Sequence, residues 1–511
     1  MSSIDIRDLI QAAASAGLEK APARSGDQAS APRVAETMAG VPVAGALSPI
    51  VLTGSVRLVE FALLALCGLV VHQLYLGRPP LALEVSVIFA LPAATVGLFE
   101  TVRLYALQAF RRFVREAFRM LLIYAGVFIA AFTLIFLLKL GDEFSRFWLL
   151  AWFAVGGVAL AIERSALSSV MSAMTRDGRF DRRTAIVGSG DAAVAMIEAL
   201  EAQGETGVRI VGVFDDRGDS RAPDIVAGYP KLGTIDDLVD YARLTHLDLV
   251  IFTVPISAEG RILQMLSKLW VLPIDIRLAA HASKLRLRPR AYSYIGNVPV
   301  LDVFDRPIAD WDLVLKWLFD KIVGALLLIA LSPVMLATAI AIKLDSRGPI
   351  FFRQNRYGFN NELIEVFKFR SMYVEQSDAP ASKLVTKDDP RVTRVGRFIR
   401  KTSLDELPQL INVVFKGNLS LVGPRPHAVQ AKAADQLYDK VVDGYFARHK
   451  VKPGITGWAQ INGWRGETDT QEKIQRRVEH DLYYIENWSV FFDLQILAMT
   501  PFALLKTENA Y

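Results

Sequence analysis

Four long apolar runs dominate the amino-terminal third of the chain. They cover residues 55–76, 84–106, 118–138 and 147–162. A helix needs about 20 apolar residues to cross a bilayer, and each run is near that length. Buried core helices would show similar runs, but four in succession favour a membrane bundle, as does a hydrophobic content of 52% over 511 residues. We therefore predict four transmembrane helices within residues 49–165.

Arginines mark two of the connections around these runs. The loop after the second run and the segment after the fourth are strongly basic, whereas the first and third loops carry little positive charge. The basic residues are Arg103, Arg111, Arg112, Arg115 and Arg119, then Arg164, Arg176, Arg179, Arg182 and Arg183. Cytoplasmic loops of membrane proteins carry an excess of lysine and arginine. The asymmetry predicts that both ends of the bundle face the cytoplasm.

The stretch before the bundle, residues 1–48, has a different composition. It is rich in Ala, Ser, Gly and Pro with scattered charges, and it contains no apolar core of the kind found in signal peptides. Such segments bury too little apolar surface to offset the entropy lost on folding. We predict a disordered tail.

From residue 180 to about 290, strand-like runs alternate with helical patterns, which predicts a Rossmann-like α/β domain. Gly188-Ser-Gly190 follows the first run and matches the turn of a dinucleotide fingerprint, and Asp215 or Asp216 ends a later run. Glycines at such a turn let a phosphate approach a helix N-terminus. The fingerprint is weak alone, so a nucleotide site and a purely structural module both stay open, with the structural module favoured. A linker over residues 291–310 is expected next.

Two adjacent acids, Asp405 and Glu406, stand among basic residues in segment 400–426. Pro408 is tolerated only near a first turn, so the pattern predicts a helix that begins around Ser403 to Asp405. One face of this helix would be apolar and the other polar: Leu407, Leu410, Ile411 and Val414 against Asp405, Gln409, Asn412 and Lys416. A carboxylate held among cations at a helix start stays ionised, as a nucleophile or metal ligand requires. A capping box from Ser403 to Glu406 is the simpler alternative.

Arginine, lysine, glycine and aromatic residues recur together in further segments. These are residues 349–358, 367–372, 389–396 and 452–460. Cations bind phosphate, glycines allow close backbone approach and rings stack on bases, so the mixture suits a diphosphate with a nucleobase. A basic surface on anionic lipid is the alternative. The net charge of only +5 argues against nucleic acid as a partner, and the single cysteine excludes a disulfide framework.

Together these motifs resemble the bacterial polyprenyl-phosphate hexose-1-phosphate transferases, over residues 311–511. The resemblance implies a mixed α/β catalytic domain in which Asp405 attacks the β-phosphorus of a UDP-sugar and Glu406 binds or positions Mg²⁺ beside it. The phosphosugar would then pass to undecaprenyl phosphate. Candidates for phosphate or uridine contacts are Lys368, Arg400 and Arg425, and, with an ordinary surface role equally open, Arg353, Arg356, Arg370 and Arg448. The resemblance also implies the bacterial inner membrane, membrane lipid as a partner, soluble domains facing the cytoplasm, and a possible homodimer.

A fifth apolar run begins the catalytic region, within residues 316–343. Its centre carries Ser332-Pro333. Proline removes a backbone donor and bends a helix, and serine can satisfy part of the freed backbone. A simple crossing would carry the remaining chain away from the nucleotide sugars of the cytoplasm. We therefore expect a re-entrant helix–break–helix, as similar transferases have; a kinked fifth span is the alternative.

The carboxy-terminal segments 462–470 and 477–488 look like those of glucose-1-phosphate transferases that initiate exopolysaccharide synthesis. UDP-glucose is therefore the expected donor, and UDP-galactose and UDP-N-acetylhexosamines stay open because no physical argument separates glucose from its C4 epimer. A nucleotide-sugar dehydratase or epimerase would need a Tyr-x-x-x-Lys pair after the glycine turn, and residues 180–290 contain none. A membrane scaffold or nucleotide sensor would not need the acid pair and its cations.

Overall fold

The computed structural model describes residues 46–106, 109–110, 113–203, 206–217, 223–255, 258–279, 293–374, 389–426, 432–433, 436–437, 445–464 and 471–505. They divide between residues 181 and 182 into two compact units. Most of the predicted tail lies outside the described residues, as do Arg111 and Arg112 and part of the segment 462–470. The helix that follows the tail begins at Pro49.

Four helices form the first unit: α1 (Pro49–Leu76), α2 (Ala82–Thr101), α3 (Phe113–Leu137) and α4 (Arg146–Arg176). Each is long and apolar enough to cross a membrane. Large apolar side chains face outward, with Leu74 82% and Phe136 80% exposed, which suits a lipid environment better than water. The predicted apolar helices are therefore confirmed, while the number that crosses a bilayer stays a prediction.

Two tryptophans hold α4 against α1. Trp148 and Trp152 are fully buried, and their indole N–H groups donate to the carbonyls of Gly68 at 3.0 Å and Leu64 at 2.8 Å. A Cβ atom at Gly68 would lie 2.6 Å from the ring of Trp152. Glycine therefore lets the two helices approach closely enough for these hydrogen bonds to form.

An eight-stranded sheet begins the second unit. Its strands are β1 (Arg182–Val187), β2 (Val208–Phe214), β3 (Ile225–Val226), β4 (Tyr229–Gly233), β5 (Leu249–Phe252), β6 (Asp275–Ala279), β7 (Ser293–Ile295) and β8 (Val298–Phe304), in the spatial order β3-β4-β2-β1-β5-β6-β8-β7. Strands β4, β2, β1, β5 and β6 are parallel, and β8 runs antiparallel to β6. The predicted α/β domain is confirmed. Residues 293–304, within the expected linker, add two strands to its sheet.

Three helices connect the parallel strands of this accessory domain. They are α5 (Asp191–Glu201), α6 (Ile235–Leu244) and α7 (Glu259–Leu269). Residues on the strands, such as Ile186 and Ile251, are wholly buried, as expected for a parallel sheet covered on both faces.

The catalytic region begins with α8 (Asp310–Asp345) and a hairpin of β9 (Phe351–Tyr357) and β10 (Leu363–Phe369). Helix α9 (Arg394–Lys401), a 3₁₀ turn (Leu404–Glu406), α10 (Gln409–Ile411) and a π-helical turn (Asn412–Lys416) follow. The remaining elements are β11 (Ser420–Val422), a small hairpin of β12 (Lys432–Ala433) and β13 (Gln436–Leu437), β14 (Gly454–Thr456), α11 (Trp458–Ile461), α12 (Gln471–Glu486) and α13 (Val490–Leu505).

Helix α8 is the fifth helix able to cross a membrane among the described residues, and both of its ends bind the catalytic region. Near its start, Lys316 donates to the carbonyl of Val422 at 2.9 Å. Beyond its end, the carbonyl of Ser346 accepts from Arg370 at 2.8 Å. The helix runs continuously through Pro333, so the expected helix–break–helix is not seen; the re-entrant path stays a prediction.

Accessory and catalytic regions contact each other within the second unit. Asn360 donates from Nδ2 to the carbonyl of Ala242, in α6, at 2.9 Å. The guanidinium of Arg243 lies over the ring of Phe446, 5.0 Å from its centre. These contacts join the carboxyl end of α6 to the turn between β9 and β10 and to the short helical turn Tyr445–Lys450.

Candidate active site

The acid pair lies in a 3₁₀ turn that begins where the sequence predicts a helix start, but α10 and a π-helical turn follow it in place of one regular helix. Ser403 has a left-handed backbone with φ 59°, and its side chain does not cap the turn. Leu404–Glu406 then form a single 3₁₀ turn. The alternative of a capping box is therefore not found, because the left-handed Ser403 directs the chain out of α9 and into a separate turn. The two carboxyl groups project from that turn.

The expected polar face is also wrong at two positions. Gln409 and Asn412 are buried, and Asn412 is wholly inaccessible. The Asn412 amide accepts from the main-chain N–H of Phe367 at 3.0 Å and donates to the carbonyl of Glu365 at 2.7 Å. The Asn412 side chain thus forms hydrogen bonds with main-chain groups on the edge of β10 that is not paired with β9. This bond fixes the acid turn to the hairpin.

Glu406 is held by two cations. Arg425 donates from Nη2 to Oε1 at 2.5 Å and from Nη1 to Oε2 at 3.1 Å, and Lys368 donates to Oε1 at 2.9 Å. Burial alone would raise the pKa of Glu406, but the charges of Arg425 and Lys368 outweigh burial and hold that pKa well below its ordinary value. Bidentate arginine pairing is a strong and directional contact, so Glu406 is ionised and fixed in place.

Asp405 has a different environment although it is the adjacent residue. Burial raises its pKa, and the positive charge of Lys368 opposes the shift without cancelling it. Among the described residues, no hydrogen bond to its carboxyl group is found. The prediction that cations would hold this carboxylate is therefore fulfilled by Glu406 and not by Asp405. Asp405 is therefore the less constrained of the two acids.

Strand alternation decides which basic residues of the hairpin reach the site. Lys368, Arg356 and Gln354 share one face, since Arg356 pairs with Ile364 and Gln354 with Val366. Arg356 donates to Gln354 and to the carbonyl of Pro426. Burial, with a smaller contribution from Arg425, lowers the pKa of Arg356 to about 10. This face therefore presents positive charge to the acid turn.

Arg353 lies on the opposite face of the same hairpin. Its side chain is 67% exposed and pairs with Glu365 at 3.5 Å. It also lies over the ring of Phe367, 5.6 Å from its centre. The structure therefore does not bring this predicted phosphate ligand to the site, because odd and even positions of a strand point to opposite faces.

Arg370 and Arg448 are used for structure. Arg370 binds the carbonyls of Ser346 and Arg347 just after α8. Arg448 is almost fully buried, pairs with Asp481, and donates to the main-chain carbonyl of Arg425 at 2.9 Å. These contacts do not bring either side chain to the acid pair, and substrate contact by Arg370 or Arg448 stays a prediction. Arg448 acts on the site by supporting Arg425.

Arg400 lies in the last turn of α9, close to Asp405. Its positive charge is among those that oppose the rise in the pKa of Asp405. The structure thus brings together Asp405, Glu406, Lys368, Arg400 and Arg425, with Arg356 beside them. The roles of two residues were not predicted from the sequence. Gln354 orients Arg356, and Asn412 holds the acid turn against the hairpin. Strand alternation would have placed Gln354 on the same face as Arg356.

A cavity of about 250 Å³ opens beside this cluster. In its walls, α8 contributes Leu327 and Leu331, the acid turn contributes Ser403 and Glu406, and α13 contributes Thr500, with further residues from α10, β11, β14 and α11. Most of the remaining lining is aliphatic, so the cavity is an apolar space that ends at a charged group. That combination suits an amphipathic ligand.

The glycine turn of the accessory domain is already occupied by protein groups. Asp215 accepts from the N–H of Ser189 at 2.8 Å and from its hydroxyl at 2.7 Å, and Arg217 donates to the same carboxylate. Burial alone would raise the pKa of Asp215, but these hydrogen bonds lower it to about 2. Asp216 accepts from the N–H of Ile235 at 2.8 Å. Asp215 is thus already engaged by protein groups, which supports the structural interpretation of Gly188 and Gly190, whereas Asp216 is exposed.

The fold and the site define a membrane-associated sugar-phosphate transferase. A family model described as a bacterial sugar transferase matches residues 311–507, and a second, described as a CoA-binding domain, matches residues 101–280. The chain belongs to the bacterial sugar transferases, the family of polyprenyl-phosphate hexose-1-phosphate transferases.

The similarity to named relatives extends beyond the catalytic region. The undecaprenyl-phosphate glucose phosphotransferase of Komagataeibacter xylinus is 40% identical over 361 residues, which cover 70% of this chain and 66% of that protein. The UDP-glucose:undecaprenyl-phosphate glucose-1-phosphate transferase of Escherichia coli (strain K12) is 38% identical over 370 residues, 72% of this chain and 77% of that protein.

A third relative names another sugar. The UDP-N-acetylgalactosamine-undecaprenyl-phosphate N-acetylgalactosaminephosphotransferase of Aeromonas hydrophila is 46% identical over 170 residues, 33% of this chain and 38% of that protein. Higher identity over a shorter stretch thus accompanies a different donor.

Proposed function

We propose that the chain transfers glucose 1-phosphate from UDP-glucose to undecaprenyl phosphate, which releases UMP and begins exopolysaccharide assembly in the bacterial inner membrane. One observation carries the reaction class. Glu406 is fixed by Lys368 and Arg425, while the neighbouring Asp405 carboxyl group has no hydrogen-bond partner among the described residues. The choice of glucose rests on relatives similar over more than two thirds of this chain.

In the proposed reaction, an Asp405 carboxylate oxygen attacks the β-phosphorus of UDP-glucose. The bond from that phosphorus to the bridging oxygen breaks, and UMP leaves with the electron pair. An oxygen of undecaprenyl phosphate then attacks the same phosphorus, and the acyl phosphate bond breaks to restore Asp405. Lys368, Arg425 and Arg400 supply positive charge beside the phosphoryl oxygens, where developing charge needs stabilisation.

Magnesium fits this site only in part. Mg²⁺ prefers octahedral oxygen ligands and is usually bound by one or two carboxylates together with substrate phosphates and water. Both Glu406 oxygens already bind cationic side chains, and no group of three or more potential ligands is found among the described residues. We therefore assign Asp405, with Glu406 behind it, as the protein side of an ion shared with the diphosphate. Such an ion would neutralise phosphate charge.

The apolar cavity beside Glu406 is the proposed place for the lipid acceptor. Leu327 and Leu331 belong to the apolar part of α8, so the cavity is reached at membrane depth. An isoprenoid chain suits its aliphatic walls, and its charged end lies at Glu406 next to the nucleophile. The re-entrant path of α8 is supported by its two ends, at Lys316 and Ser346, which both bind the same catalytic region.

UDP-galactose and UDP-N-acetylhexosamines are the alternative donors. The Aeromonas relative is named for a UDP-N-acetylhexosamine donor, and it is similar to this chain over 170 residues. A non-catalytic scaffold or nucleotide sensor would not require the fixed arrangement around Glu406. A homodimer stays a prediction.

The test uses purified full-length protein with UDP-glucose labelled in the sugar, Mg²⁺ and undecaprenyl phosphate. We expect label in the lipid fraction with release of UMP, and neither product with Asp405→Asn. Label from UDP-galactose or a UDP-N-acetylhexosamine alone would keep the reaction and replace the sugar. Absence of transfer from every donor would support the scaffold.

A further inference from the structure

A second and larger cavity lies between the accessory and catalytic regions of the second unit. Its volume is about 550 Å³, within the range of sites for small molecules and lipid chains. Leu247 and Ile274, which precede β5 and β6, line it from the accessory domain, and Leu313, Trp317 and Val451 line it from the catalytic side. Neither Asp405 nor Glu406 reaches it. An occupant would therefore be separate from the reacting groups.

One wall of this cavity continues into a membrane-facing surface. Leu313 and Trp317 belong to the first turns of α8 and are 56% and 53% exposed. The same helix then enters its long apolar stretch. Tryptophan is enriched where helices pass the headgroup level of a bilayer. The cavity thus opens near the depth of lipid headgroups, where acyl chains can enter it.

A cation without an acidic partner lies at the same cavity. Lys450 contacts the ring faces of Trp270 and Phe304, with Nζ 5.6 Å and 5.7 Å from their centres. Among the described residues, its ammonium forms no hydrogen bond and no ion pair. Burial lowers the pKa of Lys450 to about 8, and the more distant Glu486 opposes that shift only in part. Lys450 is partly exposed, so its ammonium is accessible to an anionic group.

A second lysine adds to this positive end. Lys452 also lines the cavity and donates to the carbonyl of Gly417 at 2.7 Å, which uses one of its three ammonium protons. The acid in the lining, Asp320, already accepts from the hydroxyl of Ser420 and the N–H of Leu421. The apolar walls and the two lysines therefore suit an anionic amphiphile.

We propose that this cavity binds an anionic phospholipid, with one acyl chain against Leu247, Ile274 and Val451 and the phosphate at Lys450. The membrane-facing wall at Trp317 identifies the bilayer as the source of the ligand. Undecaprenyl phosphate has related chemistry, but a chain bound here would hold its phosphate away from Asp405. The site is thus a binding site for membrane lipid in addition to the acceptor site, and it joins the two regions of the second unit.

The test is photocrosslinking of the full-length protein in phosphatidylcholine nanodiscs that contain a trace of phosphatidylglycerol with a photoactivatable acyl chain. We expect crosslinked peptides from both walls, around Ile274 and around Val451. Ile274→Trp, which fills the cavity, should reduce that labelling at least fivefold. Leu263→Trp, at an exposed position of α7 outside the lining, is the matched control and should not reduce it.

Headgroup selectivity provides an independent measurement that does not depend on the folding of the filled variant. Unlabelled phosphatidylglycerol should compete better than phosphatidylcholine in the wild type, and Lys450→Gln should remove the difference while Lys268→Gln, in exposed α7, should not. Crosslinks confined to the outer surface of α8, equal competition by both lipids, or stronger competition by undecaprenyl phosphate would each overturn the proposal. Transfer activity does not enter any of these readouts.

Discussion

Arg448 donates a 2.9 Å hydrogen bond from Nη2 to the main-chain carbonyl of Arg425, so one buried arginine holds the backbone of another. Arg425 in turn donates hydrogen bonds to both carboxylate oxygens of Glu406. A chain of contacts therefore runs from Asp481, through Arg448 and Arg425, to Glu406 beside Asp405. The position of Glu406 depends on a residue that does not touch it.

Replacement of Arg448 should impair catalysis through the position of Arg425. Lysine cannot reproduce the planar fork that binds Asp481 and the carbonyl together, so we expect Arg448→Lys to lower kcat by tenfold or more. Magnesium dependence should become steeper as Glu406 loses its fixed partner. The measurement is transfer at several Mg²⁺ concentrations beside thermal unfolding. If the variant unfolds at a lower temperature but keeps the wild-type kcat, then Arg448 contributes to stability and does not affect catalysis.

Asp405→Asn should abolish transfer and the phosphosugar adduct without loss of stability. Because burial raises the pKa of Asp405, the folded protein binds its proton more tightly than the unfolded chain does. The ionised group therefore destabilises the fold, by an amount that grows as pH rises from the unfolded value through the folded pKa. At neutral pH the amide variant should melt at the same temperature or higher. A lower melting temperature would contradict the environment described for Asp405.

Glu406→Gln should have the opposite effect on stability. The pKa of Glu406 is held well below its ordinary value, so its ionised form stabilises the fold above the unfolded pKa, and this contribution disappears as pH falls through the folded pKa. Removal of one partner from a buried ion pair typically costs about 3–5 kcal/mol. Unfolding of wild type and variant should differ clearly at pH 7 and converge in acid. Parallel curves over the whole range would refute the assignment.

Two cations of one hairpin should differ sharply in their importance. Lys368→Gln removes a donor to Glu406 and positive charge beside the reacting phosphate, so we expect a loss of about 10²–10³ in kcat. Arg353→Gln, on the exposed face, should stay within about twofold, since surface ion pairs contribute little. The measurement is the initial rate of transfer for each variant, compared with the wild type. Equal losses would mean that the hairpin faces have been assigned incorrectly.

The sequence identified the acid pair because adjacent acids among cations are visible without a fold. It also identified Lys368 and Arg425, which contact Glu406 from segments far apart in the chain. It left the role of Arg353 open because a strand's register decides which face points inward, and a single sequence contains no measure of that register. It failed for Asn412 because a polar residue on the polar face of a helix is expected to be exposed. The sequence does not show that main-chain groups of β10 form hydrogen bonds with this side chain.

The single regular helix expected after Ser403 is replaced by short 3₁₀, α and π turns. A serine followed three residues later by glutamate is compatible with a capping box, and the sequence does not indicate the left-handed backbone that Ser403 adopts. Apolar runs, by contrast, depend on length and composition alone. The five long apolar helices were accordingly found where the sequence placed them.

The cluster described around the acid turn is not electrically balanced. Lys368, Arg356, Arg400 and Arg425 are four cations against the two carboxylates of Asp405 and Glu406, and 4 − 2 leaves an excess of two positive charges when all are ionised. A nucleotide diphosphate entering this space would supply the missing counter-charge. Its binding should therefore weaken as ionic strength rises, and the protein would attract its donor from solution before any chemistry begins.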